Sequence, residues 1–235
     1  WEKEPFLSKN YKVGVSYLQH GWIDDPGGYV SCLANYFLGN GGSFLSGEVL
    51  DIEKNKILLS DGRSLTGKKI VIACGAWSKR VLKGFKVKIP LESERGYHIY
   101  LKEPSFMPSG PRLIADNKFG ISPMKEGLRV AGLVEFGGLE LGASSHPFRY
   151  LKNNIKKVFP DLTWESETRW MGHRPTLTDS LPMIGRLKES PNIICAFGGQ
   201  HVGLTMAPKI GKIIADIIFD KKINYDLKPY DPDRF

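Results

Sequence analysis

The sequence has few cysteines and no long apolar run. Only three of its 235 residues are cysteine, and they form no C-x-x-C pair: Cys32, Cys74 and Cys195. An odd number without regular spacing excludes a disulfide framework and a zinc ribbon, so we predict reduced, buried thiols, no metal site and a cytoplasmic setting. The apolar runs are too short to cross a bilayer. The chain opens on Trp-Glu-Lys-Glu-Pro, without an initiator methionine or a signal-peptide core, which we interpret as the interior of a longer protein.

The basic residues outnumber the acidic ones but form no nucleic-acid-binding motif. Lysine and arginine total 33 against 25 aspartates and glutamates, which gives a net charge of +8. Two groups of lysines stand out: Lys152, Lys156 and Lys157, then Lys209, Lys212, Lys221 and Lys222. We interpret the first group as a solvated helix face, and the alternative is peripheral contact with anionic lipid, for instance at an inner membrane. Neither zinc-finger spacing nor an RNA-binding aromatic signature occurs, so we predict no nucleic-acid partner.

The first part of the chain mixes one helix with several strands. Asp25-Pro26 is typical of a helix cap followed by proline in the first turn, and Gly39 is typical of a helix end. The spacing predicts a helix over residues 26–38 whose apolar face carries Val30, Leu33, Ala34 and Phe37. Strands are predicted over residues 44–52, 57–59 and 69–73, with turns at Lys54-Asn55 and Asp61-Gly62.

The composition changes after Pro90 to that of an antiparallel sheet. Short strands separated by glycine, asparagine and lysine turns are predicted over residues 96–101, 112–115, 120–123 and 128–136. A helix over residues 146–159 follows, ended by Pro160, and from residue 168 the chain returns to strand, glycine turn and helix. We therefore predict a mixed α/β (α+β) fold with three segments, residues 1–90, 91–167 and 168–235, in which the middle segment is an inserted antiparallel-sheet domain.

Residues 169–205 carry the clearest functional pattern. An Arg174-Pro175 corner leads through a polar turn to an apolar strand over residues 192–197, and a glycine-rich turn then opens into a helix over residues 203–219. A strand, a glycine turn and a helix N-terminus together form a pocket for a flat, anionic ligand. With Asp61-Gly62-Arg63 and the run Ile-Val-Ile-Ala-Cys-Gly-Ala-Trp-Ser at residues 70–78, this segment resembles the C-terminal part of the D-amino-acid oxidase family of flavoproteins, closest to its D-amino-acid dehydrogenase branch.

The resemblance implies FAD as cofactor and a partial Rossmann-like FAD-binding domain made of the two outer segments. In the family, the strand at Val49 places backbone amides against the adenine, and the turn after residue 73 passes near the dinucleotide with its Trp toward the flavin. The glycine turn wraps the pyrimidine edge, where backbone N–H groups stabilise the negative charge of reduced flavin. The implied cofactor residues are Val49, Cys74, Gly75, Trp77, Gly172, Gly198, Gly199, Gln200, His201, Val202, Gly203, Leu204 and Thr205.

The resemblance also implies a substrate clamp. The family arginine that matches Arg174 grips the substrate carboxylate, and a planar guanidinium can do so with two parallel hydrogen bonds. The alternative role for Arg174 is a structural salt bridge. Tyr97 and His98 occupy the region from which the family adds substrate contacts, although strand alternation places these two side chains on opposite faces. For Tyr97 the alternative is an ordinary cross-strand aromatic contact.

Two departures from the family pattern limit this interpretation. No strand followed by G-x-G-x-x-G and a helix occurs, because the glycines at residues 39–42 follow a predicted helix and lack the third glycine. We therefore expect the pyrophosphate site to lie in a missing N-terminal FAD-binding segment, and the fragment to be inactive alone. The usual Gly-His-Gly is Gly199-Gln200-His201 here, so the role of His201 stays open between flavin contact and helix start.

The predicted function is FAD-dependent oxidative deamination of D-amino acids by hydride transfer from the α-carbon to flavin N5. The partners are an amino-acid substrate and an electron acceptor, which is oxygen for an oxidase and a quinone or carrier for a dehydrogenase. One alternative is a glycine- or sarcosine-type amine oxidase of the same family. The other is a non-catalytic binding or assembly module that kept the fold.

Overall fold

The computed structural model describes Glu2 and residues 4–235, which divide into two compact units. The insert unit contains Gly96–Glu135, Gly142–Gly172 and the chain up to Phe44, and the flank unit contains Leu45–Arg95, Phe136–Leu141 and His173–Phe235. We predicted that the inserted domain begins after residue 90 and ends at residue 167. In the structure the corresponding boundaries between the units follow residues 95 and 172. Residues up to 44, which we had placed with the FAD-binding segments, cluster instead with the inserted sheet.

A five-stranded sheet and one helix build most of the insert unit. The sheet has the order β6-β7-β8-β5-β9, and β7 pairs antiparallel with both β6 and β8. The inserted antiparallel sheet predicted from the composition is therefore confirmed. Its elements are β5 Leu91–Lys102, β6 Arg112–Ile114, β7 Phe119–Met124, β8 Gly127–Phe136, α3 Ser145–Val158 and β9 Ser166–Leu177, of which β5 begins and β9 ends in the flank unit.

The core of the insert unit lies between α3 and one face of this sheet. Residues Tyr97, Ile99 and Leu101 alternate along β5 and are all buried, as expected when one face of a strand packs inward. The apolar side of α3 covers them with Leu151 and Ile155, both 0% exposed. Strands β7 and β8 add Phe119, Ile121, Leu128 and Val130 to the same core.

The first helix, α1 Pro26–Gly39, follows its sequence signals at both ends but buries nothing. The Asp25 carboxylate accepts a hydrogen bond from the backbone N–H of Gly28, at 2.8 Å, and so caps the helix. None of the helix residues is buried among the described residues. The apolar face predicted from Val30, Leu33 and Phe37 is therefore exposed, because no described element packs on it.

Two sheets and one long helix form the flank unit. An antiparallel meander, β1-β2-β3, is made of β1 Val49–Glu53, β2 Lys56–Leu59 and β3 Ser64–Thr66. The second sheet has the order β10-β11-β4 and combines an antiparallel pair, β10 with β11, with a parallel pair, β11 with β4. Its elements are β4 Ile70–Ile72, the short helix α2 Ser78–Val81, β10 Met183–Arg186, β11 Ile193–Phe197 and α4 Gly203–Ile218.

The β10-β11-β4 sheet is covered on both faces. One face, with Ile193 and Cys195, packs in a core that includes Ile72 and Leu82. The other face carries Ile184 and Ile194, which pack against Ile213, Ile214 and Ile217 of α4. A sheet with a parallel pair requires apolar residues on both faces, and the continuous run Ile-Ile-Cys-Ala-Phe of β11 provides them.

Several local expectations are corrected. Arg174 and Pro175 do not form a corner, because β9 continues to Leu177. Proline is tolerated at this position because β9 is an edge strand, where the missing N–H costs no hydrogen bond to a neighbouring strand. The expected burial of the thiols is wrong for Cys32 and Cys74, which are exposed, and right for Cys195. The first strand begins at Val49 rather than at residue 44.

The lysine groups are largely occupied by local partners. Lys152 lies 2.9 Å from Glu167, Lys212 lies 2.9 Å from Asp216, and Lys209 contacts the hydroxyl of Tyr225. These contacts favour the solvated-face interpretation over a lipid-binding patch. Among the helices of the described residues, none has both the length and the apolar character needed to cross a membrane.

The packing of α3 generates a stability prediction. Leu151→Ala removes a fully buried side chain from the core of the insert unit, and such truncations cost about 2–5 kcal/mol in free energy of unfolding. Asn153→Ala, on the exposed side of the same helix, is the matched control and should change stability by less than about 0.5 kcal/mol. Urea unfolding monitored by circular dichroism measures both, and equal effects would contradict the assigned helix face.

The environment of His98 generates a pH prediction. Burial lowers its pKa from 6.5 to about 4, with a smaller contribution from the charge of Arg129. Because the unfolded chain binds the proton more readily, His98 should make the free energy of unfolding fall as the pH drops from about 6.5 to about 4. Comparison of wild type with His98→Gln isolates this slope, and NMR titration of the imidazole measures the pKa directly. A midpoint near 6.5 would show that the ring is not buried as described.

Candidate functional site

The parallel pair in the flank unit brings the two predicted cofactor turns to one edge. Ile193 pairs with Ile70 and Cys195 pairs with Ile72, so β11 and β4 run in register and end together. Strand β4 is followed by a 3-10 turn at Gly75–Trp77, and β11 is followed by the glycine loop of residues 198–202. The carboxyl ends of parallel strands are where open α/β sheets bind ligands.

The glycine loop requires its two glycines for steric reasons. Gly198 has φ of +89°, and a Cβ atom there would lie 2.7 Å from Cδ1 of Leu177. A Cβ atom on Gly199 would lie 2.7 Å from Cα of Gly203 in the first turn of α4. The loop is also anchored to β9, because the backbone N–H of Gln200 donates to the carbonyl oxygen of Pro175 at 3.2 Å.

Helix α4 begins with uncapped amides directly after this loop. The N-cap residue is Val202, whose side chain makes no capping hydrogen bond, and the first turn contains no acidic residue. The backbone N–H of Met206 is bonded to the carbonyl oxygen of Val202 at 3.0 Å, which leaves the amides of the preceding turn for an external acceptor. The positive end of the helix dipole adds to this, so the site favours an anionic edge.

A polar pair, with one buried member, connects β5 to β9 beside the turn after β4. The Ser93 hydroxyl, in a residue only 3% exposed, lies 2.7 Å from Nδ1 of His173. The His173 ring meets Trp77 edge-on, with 5.3 Å between ring centroids. Trp77 is 45% exposed, so it is not a core tryptophan. These contacts hold an exposed indole at the carboxyl end of β4.

Arg174 follows His173 on β9, one residue before the strand is tied to the glycine loop. The side chain is half-buried and its Nη1 atom is fully enclosed. Because Gln200 of the glycine loop is hydrogen-bonded to Pro175, the backbone of the preceding residue, Arg174, lies near the loop, and all three residues belong to the flank unit. The structure thus brings Arg174, Trp77 and the glycine loop, which are far apart in sequence, into one region.

His201 is fixed by a partner that the sequence did not indicate. Its Nε2 atom lies 2.9 Å from Oε2 of Glu94, whose side chain is only 16% exposed. Ser93 and Glu94 were both missed, as was His173. A signal for Ser93 and Glu94 is the polar run Glu-Ser-Glu-Arg near the start of β5, which precedes the more apolar half of that strand.

The two residues that we predicted to contact substrate, Tyr97 and His98, lie in the insert unit. Their side chains are on opposite faces of β5, as strand alternation requires. Tyr97 is 1% exposed; its hydroxyl donates to Glu135 and accepts from the backbone N–H of Ser144 at 3.2 Å. This burial leaves Tyr97 a packing role and keeps it from direct ligand contact. His98 is half-buried on the opposite face and stacks on Trp170, with ring centroids 4.9 Å apart and an interplanar angle of 22°.

Gly172 and Val49 are held by packing. A Cβ atom on Gly172 would lie 1.8 Å from Cη2 of Trp170, so only glycine fits under that indole. Val49, at the start of β1, packs against the flank-unit core, and its backbone contact with adenine stays a prediction. Within the described residues, no group of three His, Cys, Asp or Glu side chains is placed to hold a metal ion.

The sequence comparisons point to one class of enzymes. The chain is 33% identical, over its whole length, to a D-amino-acid oxidase of Bradyrhizobium diazoefficiens, of which it covers 58%. It is 28% identical to a D-amino acid dehydrogenase of Helicobacter pylori, with 93% of this chain and 54% of that protein covered. The chain therefore spans somewhat more than half the length of the curated relatives that it matches.

Solved structures show the same fold. Glycine oxidase from Geobacillus kaustophilus superimposes with a TM-score of 0.75 at 22% identity, over 87% of this chain and 57% of that one. L-Proline dehydrogenase from P. horikoshii gives a TM-score of 0.76 at 23% identity, over 90% and 60% of the two chains. The sequence profile of the FAD dependent oxidoreductase family, DAO, matches residues 2–217. The chain therefore belongs to the DAO family of FAD-dependent oxidoreductases.

Proposed function

We propose that this chain carries the substrate side and the flavin edge of an enzyme that oxidatively deaminates D-amino acids with FAD. The observation that carries the proposal is the glycine loop, which places the uncapped N-terminus of α4 at the shared carboxyl ends of β4 and β11. The relatives named D-amino-acid oxidase and D-amino acid dehydrogenase support an amino-acid substrate of D configuration.

The residues of this region fit the edge of a flavin. The two glycines keep side chains out of the space beside α4, and the free amides of Gly203, Leu204 and Thr205 suit carbonyl oxygens and a developing negative charge. When bound, FAD would accept the hydride, which carries both electrons, from the substrate α-carbon. The chain itself supplies positive potential and shape.

The fit does not extend to the pyrophosphate. The glycines at residues 39–42 follow α1 rather than a strand, and the G-x-G-x-x-G pattern is absent from the sequence. We propose that a dinucleotide-binding segment outside this sequence completes the cofactor site, so that the activity belongs to the combination of both parts.

Arg174 is the proposed clamp for the substrate carboxylate. Its half-buried position and rigid guanidinium suit a bidentate hydrogen-bonded pair, which fixes the α-carbon of the substrate. The hydrogen bond of His173 to Ser93 and its ring contact with Trp77 restrain the part of β9 that carries Arg174. The chain needs no further base if the substrate amine arrives neutral.

The same chemistry on glycine or a secondary amine is the second candidate. The structural similarity to glycine oxidase supports the shared fold, while the two curated relatives favour D-amino acids. A screen of D-amino acids, L-amino acids, glycine and sarcosine, with oxygen and with an artificial acceptor, distinguishes these substrates and also oxidase from dehydrogenase. The proposal of catalysis fails if a flavin-loaded preparation oxidises none of them, and the chain is then a binding module.

The absence of the G-x-G-x-x-G pattern predicts weak flavin binding by this chain. Purified residues 1–235 should be colourless or carry far less than one flavin per chain, because the pyrophosphate has no glycine turn to rest on. The absorbance near the flavin bands relative to that at 280 nm measures the content. A stoichiometric flavin spectrum would contradict the proposed division of the cofactor site.

The clamp predicts a kinetic defect. In a flavin-loaded, active preparation, Arg174→Ala should lower kcat/KM for a D-amino acid by roughly 10- to 150-fold, because a charge-assisted hydrogen bond is worth about 1.5–3 kcal/mol. Arg174→Lys should recover only part of this loss. Arg80→Ala, an exposed cation of the same unit that lies 3.2 Å from Glu48, is the matched control. If kcat/KM of Arg174→Ala stayed within about twofold of the wild-type value, Arg174 would not be part of the substrate site.

A further inference from the structure

The sheet of the insert unit has a second face, opposite α3, that carries a cation among aromatic rings. His98 and Tyr100 lie on β5 and Arg129 lies on β8, the neighbouring strand, and all three are half-buried. Trp170 of β9 stacks on His98, and the His98 and Tyr100 rings meet edge-on with centroids 5.0 Å apart. We call these four residues, His98, Tyr100, Arg129 and Trp170, the Arg129 patch.

Arg129 is a charge without a counter-ion. Its side chain makes no hydrogen bond or ion pair with any other described residue, and its positive charge acts to lower the pKa of both His98 and Tyr100. Burial lowers the pKa of its guanidinium, yet an arginine remains charged at physiological pH. A half-buried cation of this kind is costly unless an anion accompanies it.

Two acidic groups near the patch have lysine partners. Glu126 lies 2.9 Å from the ammonium of Lys102, and Asp25 lies 3.0 Å from that of Lys125. Both carboxylates are therefore bonded to a lysine rather than to Arg129.

The sheet surface beside Arg129 has little side-chain bulk. Ser122 is the cross-strand partner of Arg129, and the next pair along the same face is Gly120 with Ala131. No side chain larger than that of serine therefore stands at these three positions beside Arg129. The Nδ1 atom of His98 is buried and has no hydrogen-bond partner among the described residues.

We propose that the Arg129 patch binds the carboxylate of a small organic acid. The planar guanidinium offers two parallel donors, the Tyr100 hydroxyl and the His98 imidazole offer neutral polar contacts, and the rings of His98 and Trp170 exclude water from one side. The carboxylate has two sources: the side chain of an acidic amino-acid substrate, in which case the inference rests on the proposed function, or a separate carboxylate ligand.

Direct binding tests the patch without flavin or activity. The 235-residue chain is titrated with glutarate, and with glutaramide as the uncharged analogue, while backbone amide NMR shifts are followed. Glutarate should shift the signals of residues 98, 100, 129 and 170, and glutaramide should not. Arg129→Gln should weaken glutarate binding by about tenfold or more, whereas Arg129→Lys should retain part of it.

Two further variants separate binding from folding. Arg149→Gln removes an exposed cation from α3, where it donates to Ser145 at 2.7 Å, and should leave glutarate binding unchanged. Ala131→Val adds side-chain bulk on the same face of β8 while Arg129 keeps its charge, and should weaken glutarate binding without loss of the native amide dispersion. The inference is overturned if Arg129→Gln folds and binds glutarate as wild type does, or if the shifts lie elsewhere.

Kinetics of a flavin-loaded preparation identify the source of the carboxylate. If the substrate supplies it, Arg129→Gln should lower kcat/KM for D-glutamate about tenfold more than for D-glutamine. Equal changes for both substrates, with glutarate binding lost, assign the patch to a separate carboxylate ligand. If no amino acid is oxidised but glutarate still binds through Arg129, the proposed function fails while the carboxylate site stands.

Discussion

The parallel pairing of β11 with β4 is the constraint on which the candidate site depends. These two strands are about 120 residues apart in sequence, and their registered pairing makes both end at the same edge. The turn at Gly75–Trp77 and the loop after β11 therefore meet, and α4 begins where they meet. If the pairing slipped by one residue, the side chains of one strand would change faces and the two-faced burial of the sheet would be lost.

Polar contacts extend this arrangement to β5 and β9. The hydrogen bond between Ser93 and His173 lies within the flank unit, and the His173 ring contacts the exposed Trp77. Because the Ser93 side chain is buried, it requires a partner, and its bond to His173 fixes one orientation of β5 relative to β9. Glu94, the next residue of β5, contacts His201 at the end of the glycine loop. The candidate site thus depends on supporting contacts as well as on the residues proposed to face a ligand.

The two faces of the inserted sheet differ in the residues that they carry. The face with Tyr97 packs under α3 and stabilises the unit, whereas the face with His98 and Arg129 retains charge and aromatic surface. Core packing explains the first face completely. It does not explain an arginine that is half-buried without a counter-ion, and such a residue in a flavoenzyme fold indicates ligand recognition.

The sequence by itself determined the composition change that marks the inserted antiparallel sheet, the three long helices with their approximate ends, and the DAO family, because periodicity, capping residues and turn glycines are local signals. It did not reveal that β9 continues through Arg174 and Pro175, that α1 buries nothing, or that Cys74 is exposed. Nor did it indicate Ser93, Glu94 or the Arg129 patch. Those features depend on contacts between segments far apart in the chain, and only the tertiary structure decides which distant side chains share a face, a partner or a hydrogen bond.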